Sequence, residues 1–251
     1  MAGRYTEVSD ISKLGTILGI WAHPDDETFS MAGLMAVAAG NGQTVACVTA
    51  TKGEAGVQDE SRWPAETLGE VRSDELANAL QHLGVKNHHW LSYRDGGCKD
   101  IDDQVAVSSI VPLIHQYRPD TVITFAPDGL TGHDDHRCVS RWAKMAVHES
   151  GVPAEVYYTV NTKEMYDKFL READEKFNIF FNIDEPVLIP MDECDMAFIF
   201  PDDIVRLKIE ALKLMPSQTS GMIAGNDNHW MEGALCCEAF VSSERDDIDW
   251  S

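Results

Sequence analysis

At 251 residues and 44% hydrophobic content, the chain can fill one substantial α/β domain, whereas two separate domains would each be small. A formal charge of -22, from 42 acidic against 20 basic residues, opposes contact with a phosphate backbone or an anionic membrane surface and excludes nucleic acid and membrane as expected partners. Residues 1–12 carry one Arg and no apolar run, so neither signal peptide nor anchor is expected, and no stretch reaches the length of a membrane span. Cys47, Cys98, Cys138, Cys194, Cys236 and Cys237 lack any C-x-x-C spacing, which fits unbridged thiols in a reducing cytoplasm.

The first strong element is the apolar run at residues 14–22, LGTILGIWA, of the kind a strand buried on both faces requires; it ends at His23. Residues 27–39 follow as helix, Gly40-Asn41-Gly42 stops it, and residues 44–49 form the next strand, completing a βαβ unit. After a loop holding Lys52-Gly53-Glu54-Ala55-Gly56, residues 66–83 read as a helix with Leu68, Val71, Leu76, Ala79, Leu80 and Leu83 inward. Strand 89–93, helix 102–117 and strand 121–125 continue the alternation, with Pro119-Asp120 turning between the last two. Helix 136–150 and strand 155–160 come next. Beyond Asn161 the pattern loosens into an amphipathic helix at 163–172, apolar runs at 177–183 and 195–200, a helix at 202–215 and a strand at 239–242. Alternation of this kind predicts a Rossmann-like, mostly parallel sheet with helices on both faces, as a single domain over 13–242. Residues 1–12 form an extension, and 243–251 are polar enough to fray.

Two short clusters carry the chemistry: His23-Pro24-Asp25-Asp26-Glu27 after the first strand and His133-Asp134-Asp135-His136 after the fourth. In a sheet of order 3-2-1-4-5, strands 1 and 4 flank the crevice where ligands bind, so the clusters are expected to share one site. The first βα turn lacks G-x-G-x-x-G, which disfavours a nicotinamide or flavin cofactor. Histidines and carboxylates without cysteine suit a catalytic zinc with an open position. His23, Asp26 and His136 are assigned as ligands, and Asp25 as the base towards water activated by the metal. His133 is left as a donor to an oxyanion or leaving amine, and Asp135 is expected to orient it. Either cluster alone would also suit a helix N-terminus, but two complementary sets at the two crevice loops favour a site.

These residues resemble the PIG-L/LmbE-like deacetylases, zinc enzymes that remove N-acetyl groups from N-acetylglucosamine derivatives and related amides. The A-H-P-D-D-E element stands at 22–27 and the H-x-D-H element at 133–136, and the likeness extends through 51–56, 70–76, Asp95-Gly96, Lys208 and Ser217-Gln218. The resemblance implies the same ligands (His23, Asp26, His136), the same base (Asp25) and a supporting His133, with Arg72 and Asp95 at positions that contact sugar hydroxyls. It implies an amide hydrolase for a small amino-sugar conjugate, using Zn2+ or another divalent ion such as Fe2+, with a homo-oligomer compatible. Thr131 stands where some relatives carry a Tyr, and Pro216 where a His usually precedes the Ser-Gln element. Two rivals are a phosphoesterase whose Asp25, Asp26, Asp134 and Asp135 bridge two metals, and a sugar-binding module without catalysis. Trp63, Tyr93 and Trp230 are candidates to stack on a sugar face.

Overall fold

A computed structural model describes residues 5–226 and 229–250. The expected strand at 14–22 starts later, as β1 (Ile17–Trp21), because residues Val8–Leu14 form a 3-10 helix. Gly15 breaks between them at φ 63, where an added Cβ would lie 2.1 Å from the Asp120 carboxylate that accepts the Thr16 N–H. Then follow α1 (Asp26–Gly40), β2 (Val45–Thr51), α2 (Ala65–His82), β3 (Asn87–Tyr93), α3 (Asp103–Tyr117), β4 (Thr121–Phe125), α4 (Asp134–Ser150) and β5 (Glu155–Thr162). These match the expected elements closely, since long runs of strand and helix periodicity alternate there.

The sheet order is β3-β2-β1-β4-β5-β8-β7. The first five strands are parallel, and β1 lies between β2 and β4. Buried on both faces, β1, β2 and β4 need no polar alternation. Helices α3 and α4 pack together on one face, and α1 packs against α7 (Asp202–Lys213). β8 (Cys237–Ser242) runs antiparallel to β5 and to β7 (Met196–Ile199), which forms the far edge.

Between β5 and β7 the chain departs from expectation. Residues Lys163–Met165 (α5), a π-helical turn at Tyr166–Leu170 and Arg171–Phe177 (α6) make one longer helical run. Of the apolar run at 177–183, Phe177 ends α6 and the rest forms turns, while a two-residue β6 (Leu188–Ile189) pairs with the end of β5. Helices α8 (Pro216–Ala224) and α9 (Trp230–Ala234) were not expected; both are short and carry weak periodicity. Ile248 and Trp250 of the polar tail pack against the core, whereas residues 1–4 of the N-terminal extension, 227–228 and 251 lie outside the described residues. All six cysteines are free, and no described helix is long and apolar enough to cross a membrane.

One buried ion pair shapes the region behind the crevice. Lys208 on α7 and Glu238 on β8 meet at 2.8 Å with no solvent contact to speak of. Glu238 also accepts the Gly33 and Leu34 N–H groups of α1 at 2.7 and 2.9 Å, where the helix breaks at Met31 (φ -146, ψ 22). The carboxylate thus takes over N–H groups that the broken helix leaves short of carbonyl partners.

Candidate active site

β1 delivers His23 to the carboxyl end of the sheet, and the loop after β4 delivers His133, the N-cap of α4, with Asp135 and His136 in its first turn. The Nδ1 of His23 lies 3.1 Å from Nε2 of His136, Asp26 Oδ1 is 3.4 Å from that Nε2, and Asp26 Oδ2 is 3.6 Å from His23 Nδ1. Tetrahedral coordination with bonds of 2.0–2.1 Å sets donor atoms about 3.3 Å apart. Each of these gaps is close to that separation, the two from Asp26 running to different carboxylate oxygens.

Each donor is oriented by a further contact. His136 Nδ1 lies 2.9 Å from the Gly129 carbonyl, so its proton sits there and Nε2 presents a lone pair; Phe125 stacks flat on the ring at 4.0 Å. Burial pushes this imidazole down to about 4, helped by neighbouring His23 and His133 and opposed by Asp26, leaving it neutral as a ligand must be. Asp26 Oδ2 accepts the Ala22 and His23 N–H groups, which fixes the carboxylate across the turn. His23 uses Nε2 on the side away from His136, where it meets Asp95 Oδ1 at 3.1 Å and Asp135 Oδ2 at 3.3 Å. Burial alone would lower its pKa, but hydrogen bonds to Asp135 and Asp95 hold it up at about 10. A cation bound at Nδ1 would displace a proton from this imidazolium.

Asp25 adopts φ 107, ψ -29, an uncommon conformation for a residue with a side chain, and its carboxylate meets Arg72. Burial raises it to about 7, with Arg72 opposing and Asp26 adding repulsion. Arg72, buried on α2, donates to Asp25 at 3.2 Å, to the Pro24 carbonyl at 2.6 Å and to the Gly53 carbonyl at 2.7 Å. It clamps the strained turn. Gly53 sits at φ 65 against it, and a Cβ there would lie 2.2 Å from the guanidinium. Glu27 is buried and raised to about 8, with Thr28 Oγ1 donating to it at 2.6 Å, so a neutral carboxyl stands beside the cluster.

Two residues make contacts that the sequence did not suggest. Asp135 does not orient His133: its carboxylate accepts the Gly96 and Cys98 N–H groups at 2.8 and 3.1 Å and meets His23. Only its backbone N–H touches His133, donating to Nδ1 at 3.1 Å, because His133 caps the helix while Asp135 points to the opposite side of the first turn. That cap leaves the proton of a neutral His133 on Nε2, and burial lowers the pKa of the ring. Asp95 takes the Ala55 N–H at 2.8 Å as well as meeting His23, so it braces the site, and with one contact on each oxygen it keeps acceptor capacity towards the cavity it lines. The sequence carries no local signal for either partnership, since both join loops from different strands.

Among the described residues, His23, His133 and His136 also come close enough to share an ion, as do His23, Asp95 and Asp135. His133 Nδ1 accepts the Asp135 N–H, which leaves its Nε2 open, and Asp26 Oδ1, 3.4 Å from His136 Nε2, is a further candidate donor beside His23 and His136. Asp134 points outward to Lys99 with its side chain 55% exposed. A two-metal centre that needs Asp134 is not assembled.

The cluster lies in a cavity of about 860 Å³, lined by His23, Asp25, Asp26, Arg72, His133 and His136 and also by Thr131, Gln218, Trp63 and Trp230. Tyr93 instead packs on Trp142. Thr131 Oγ1 stands 3.4 Å from His136 Nδ1, and Pro216 opens α8, whose Ser217 and Gln218 bind Glu75 and the Gly56 carbonyl. Asn161, at the end of β5, also lines the cavity and was missed, being one polar residue at an expected strand end.

The family described as PIG-L: GlcNAc-PI de-N-acetylase matches residues 18–147, the segment that holds every ligand candidate. A 1D-myo-inositol 2-acetamido-2-deoxy-alpha-D-glucopyranoside deacetylase of Salinispora arenicola is 30% identical over 248 residues, covering 86% of this chain and 78% of that protein. A protein of the same description from Mycobacterium sp. is 32% identical, covering 81% and 74%. The N,N'-diacetylchitobiose deacetylase of Pyrococcus horikoshii shares the fold with TM-score 0.66 at 22% identity, over 94% of this chain and 86% of that one. On the strength of the profile match and of relatives aligned over most of their length, the chain belongs to the PIG-L family of de-N-acetylases.

Proposed function

We propose that this protein is a zinc-dependent hydrolase that removes an N-acetyl or related acyl group from an N-acetylglucosamine-type conjugate, releasing acetate and a free amine. The observation that carries this is the convergence of His23 Nδ1, His136 Nε2 and Asp26 at 3.1–3.6 Å, with a separate carboxylate, Asp25, beside them in one cavity. Oxygen and imidazole donors without thiolate suit Zn2+ and also accept other divalent ions such as Fe2+. When bound, the ion would supply Lewis acidity, making water a better nucleophile at neutral pH and polarising the acyl carbonyl.

The chain's own groups then have distinct tasks. Asp25, poised near neutrality, takes a proton from the attacking water. Arg72 keeps that carboxylate directed into the cavity. His133 presents Nε2–H to the oxyanion that develops on the acyl carbon, or to the departing nitrogen. Asp135 and Asp95 hold His23 so that Nδ1 faces Asp26 and His136. The likeness to curated deacetylases of an inositol-linked N-acetylglucosamine supports a small amino-sugar conjugate as substrate class.

The test is acetate release from N-acetylglucosamine conjugates by protein of known metal content. One ion per chain with acetate formation is expected. Two ions per chain with phosphate-ester cleavage would favour the phosphoesterase, and sugar binding without turnover would favour a non-catalytic module.

A further inference from the structure

The loops after β2 and β3 are fastened to each other in both directions. Ala55 donates its N–H to Asp95 Oδ2 at 2.8 Å, and the Asp95 N–H donates back to Glu54 Oε1 at 3.0 Å. Asp95 Oδ1 is then set against His23 Nε2, 3.1 Å away. Glu54 is thus joined to a candidate metal ligand through one intervening residue, although it is not among the residues lining the cavity. The turn that carries it is held at three further points: the Gly56 N–H closes it onto the Gly53 carbonyl at 3.1 Å, Arg72 donates to that same carbonyl, and Gln218 donates to the Gly56 carbonyl at 2.9 Å. On α2, Gly69 lets the helix come close, since a Cβ there would lie 3.3 Å from Glu54 Cβ. The Glu54 side chain therefore has little freedom to point elsewhere. Its other oxygen shows that this placement is not made for stability: Oε2 is buried and has no hydrogen-bond partner among the described residues. An unpaired buried acceptor destabilises the fold, and an apolar side chain would pack there without that loss. What the carboxylate supplies, and an apolar residue cannot, is an acceptor for the Asp95 N–H just beyond β3.

We propose that Glu54 is a positioning residue for the metal centre: by accepting the Asp95 N–H it sets the Asp95 carboxylate against His23 Nε2, which keeps His23 Nδ1 turned towards Asp26 and His136. The proposal rests on the metal-binding reading above. Glu54 acts through the reach of its oxygen and not through its charge. Partners of this kind, lying outside the ligands themselves, govern metal affinity because they fix the direction of the ligand's lone pair before the ion arrives.

The test is zinc affinity by chelator competition at one fixed pH, because binding at imidazole releases protons, with the Tm of the metal-free chain recorded alongside. Glu54→Met fills the same space without an acceptor, and Glu54→Gln keeps the oxygen while removing the charge. Glu54→Met is expected to bind zinc about tenfold more weakly than the parent, at the lower end of what outer partners contribute, with its metal-free Tm maintained. Glu54→Gln should bind zinc as the parent does. In an Asp95→Ala background Glu54→Met should weaken binding no further, since the route through Asp95 is already cut. If Glu54→Met does not fold, Glu54→Asp, which keeps the charge and withdraws the oxygen by one methylene, is read in its place with the same expected loss. Parent affinity in the Met or Asp variant, equal weakening by Gln, or losses that add to that of Asp95→Ala would each overturn the role. A parent chain that binds no zinc would overturn the metal centre itself and this role with it.

Discussion

Asp135 and His133 are two residues apart and serve different masters. The His133 ring folds back to cap α4, while the Asp135 carboxylate crosses to His23 and to the loop after β3. Outer partners of metal-binding histidines commonly contribute 10–100-fold to metal affinity. Asp135→Asn is therefore expected to weaken zinc binding by about 10–100-fold while the helix cap persists, as a chelator competition would read. Unchanged affinity would mean that Asp95 alone orients His23. Adjacent residues at a helix start point in different directions, and which of them faces which loop depends on strands far away in sequence. That is why the clustering of His23, Asp26 and His136 was legible while the partner of Asp135 was not.

At the scale of elements, the break in α1 depends on β8 and α7. Glu238→Ala would strand the Lys208 ammonium and the Gly33 and Leu34 N–H groups together, with an expected cost of about 3–5 kcal/mol. Lys208→Met leaves Glu238 its two backbone donors and should cost less. Chemical denaturation of both variants checks the order, and equal losses would contradict the role given to the α1 contacts. The β2–β3 edge carries a second test in His88, whose ring lies 2.9 Å from Thr49 Oγ1 and against Trp90. Burial, aided by His89, lowers its pKa from 6.5 to about 4. Because the folded value is depressed, the stability this neutral ring contributes is complete above about pH 6.5 and is lost as pH falls towards 4. His88→Gln should show a smaller fall in Tm across that window than the parent; parallel curves would remove the effect.

At the scale of the whole molecule, the parallel half was legible because each strand there is a buried run and each helix is long enough to show its period. Placing the clusters after β1 and β4 follows from that order alone. The half beyond Asn161 was less legible: β8 inserts antiparallel between β5 and β7, α8 and α9 are short, and the apolar run at 177–183 goes to a cavity wall instead of a strand. Such placements come from long-range pairing and not from local periodicity. Net charge acts on the molecule as one body: a formal -22 produces self-repulsion that salt screens, so Tm is expected to rise on adding KCl. A flat titration would show that the acidity does not strain the fold.

The most direct measurement is acetate release by zinc-loaded wild type and Asp25→Asn on the same N-acetylglucosamine conjugate, with metal per chain determined in both samples. The predicted result is one ion per chain in each and turnover reduced by about 10²–10⁴ in the variant, the range for loss of a general base. Wild-type rates from Asp25→Asn at full metal content would contradict the separation of ligand from base on which the mechanism stands.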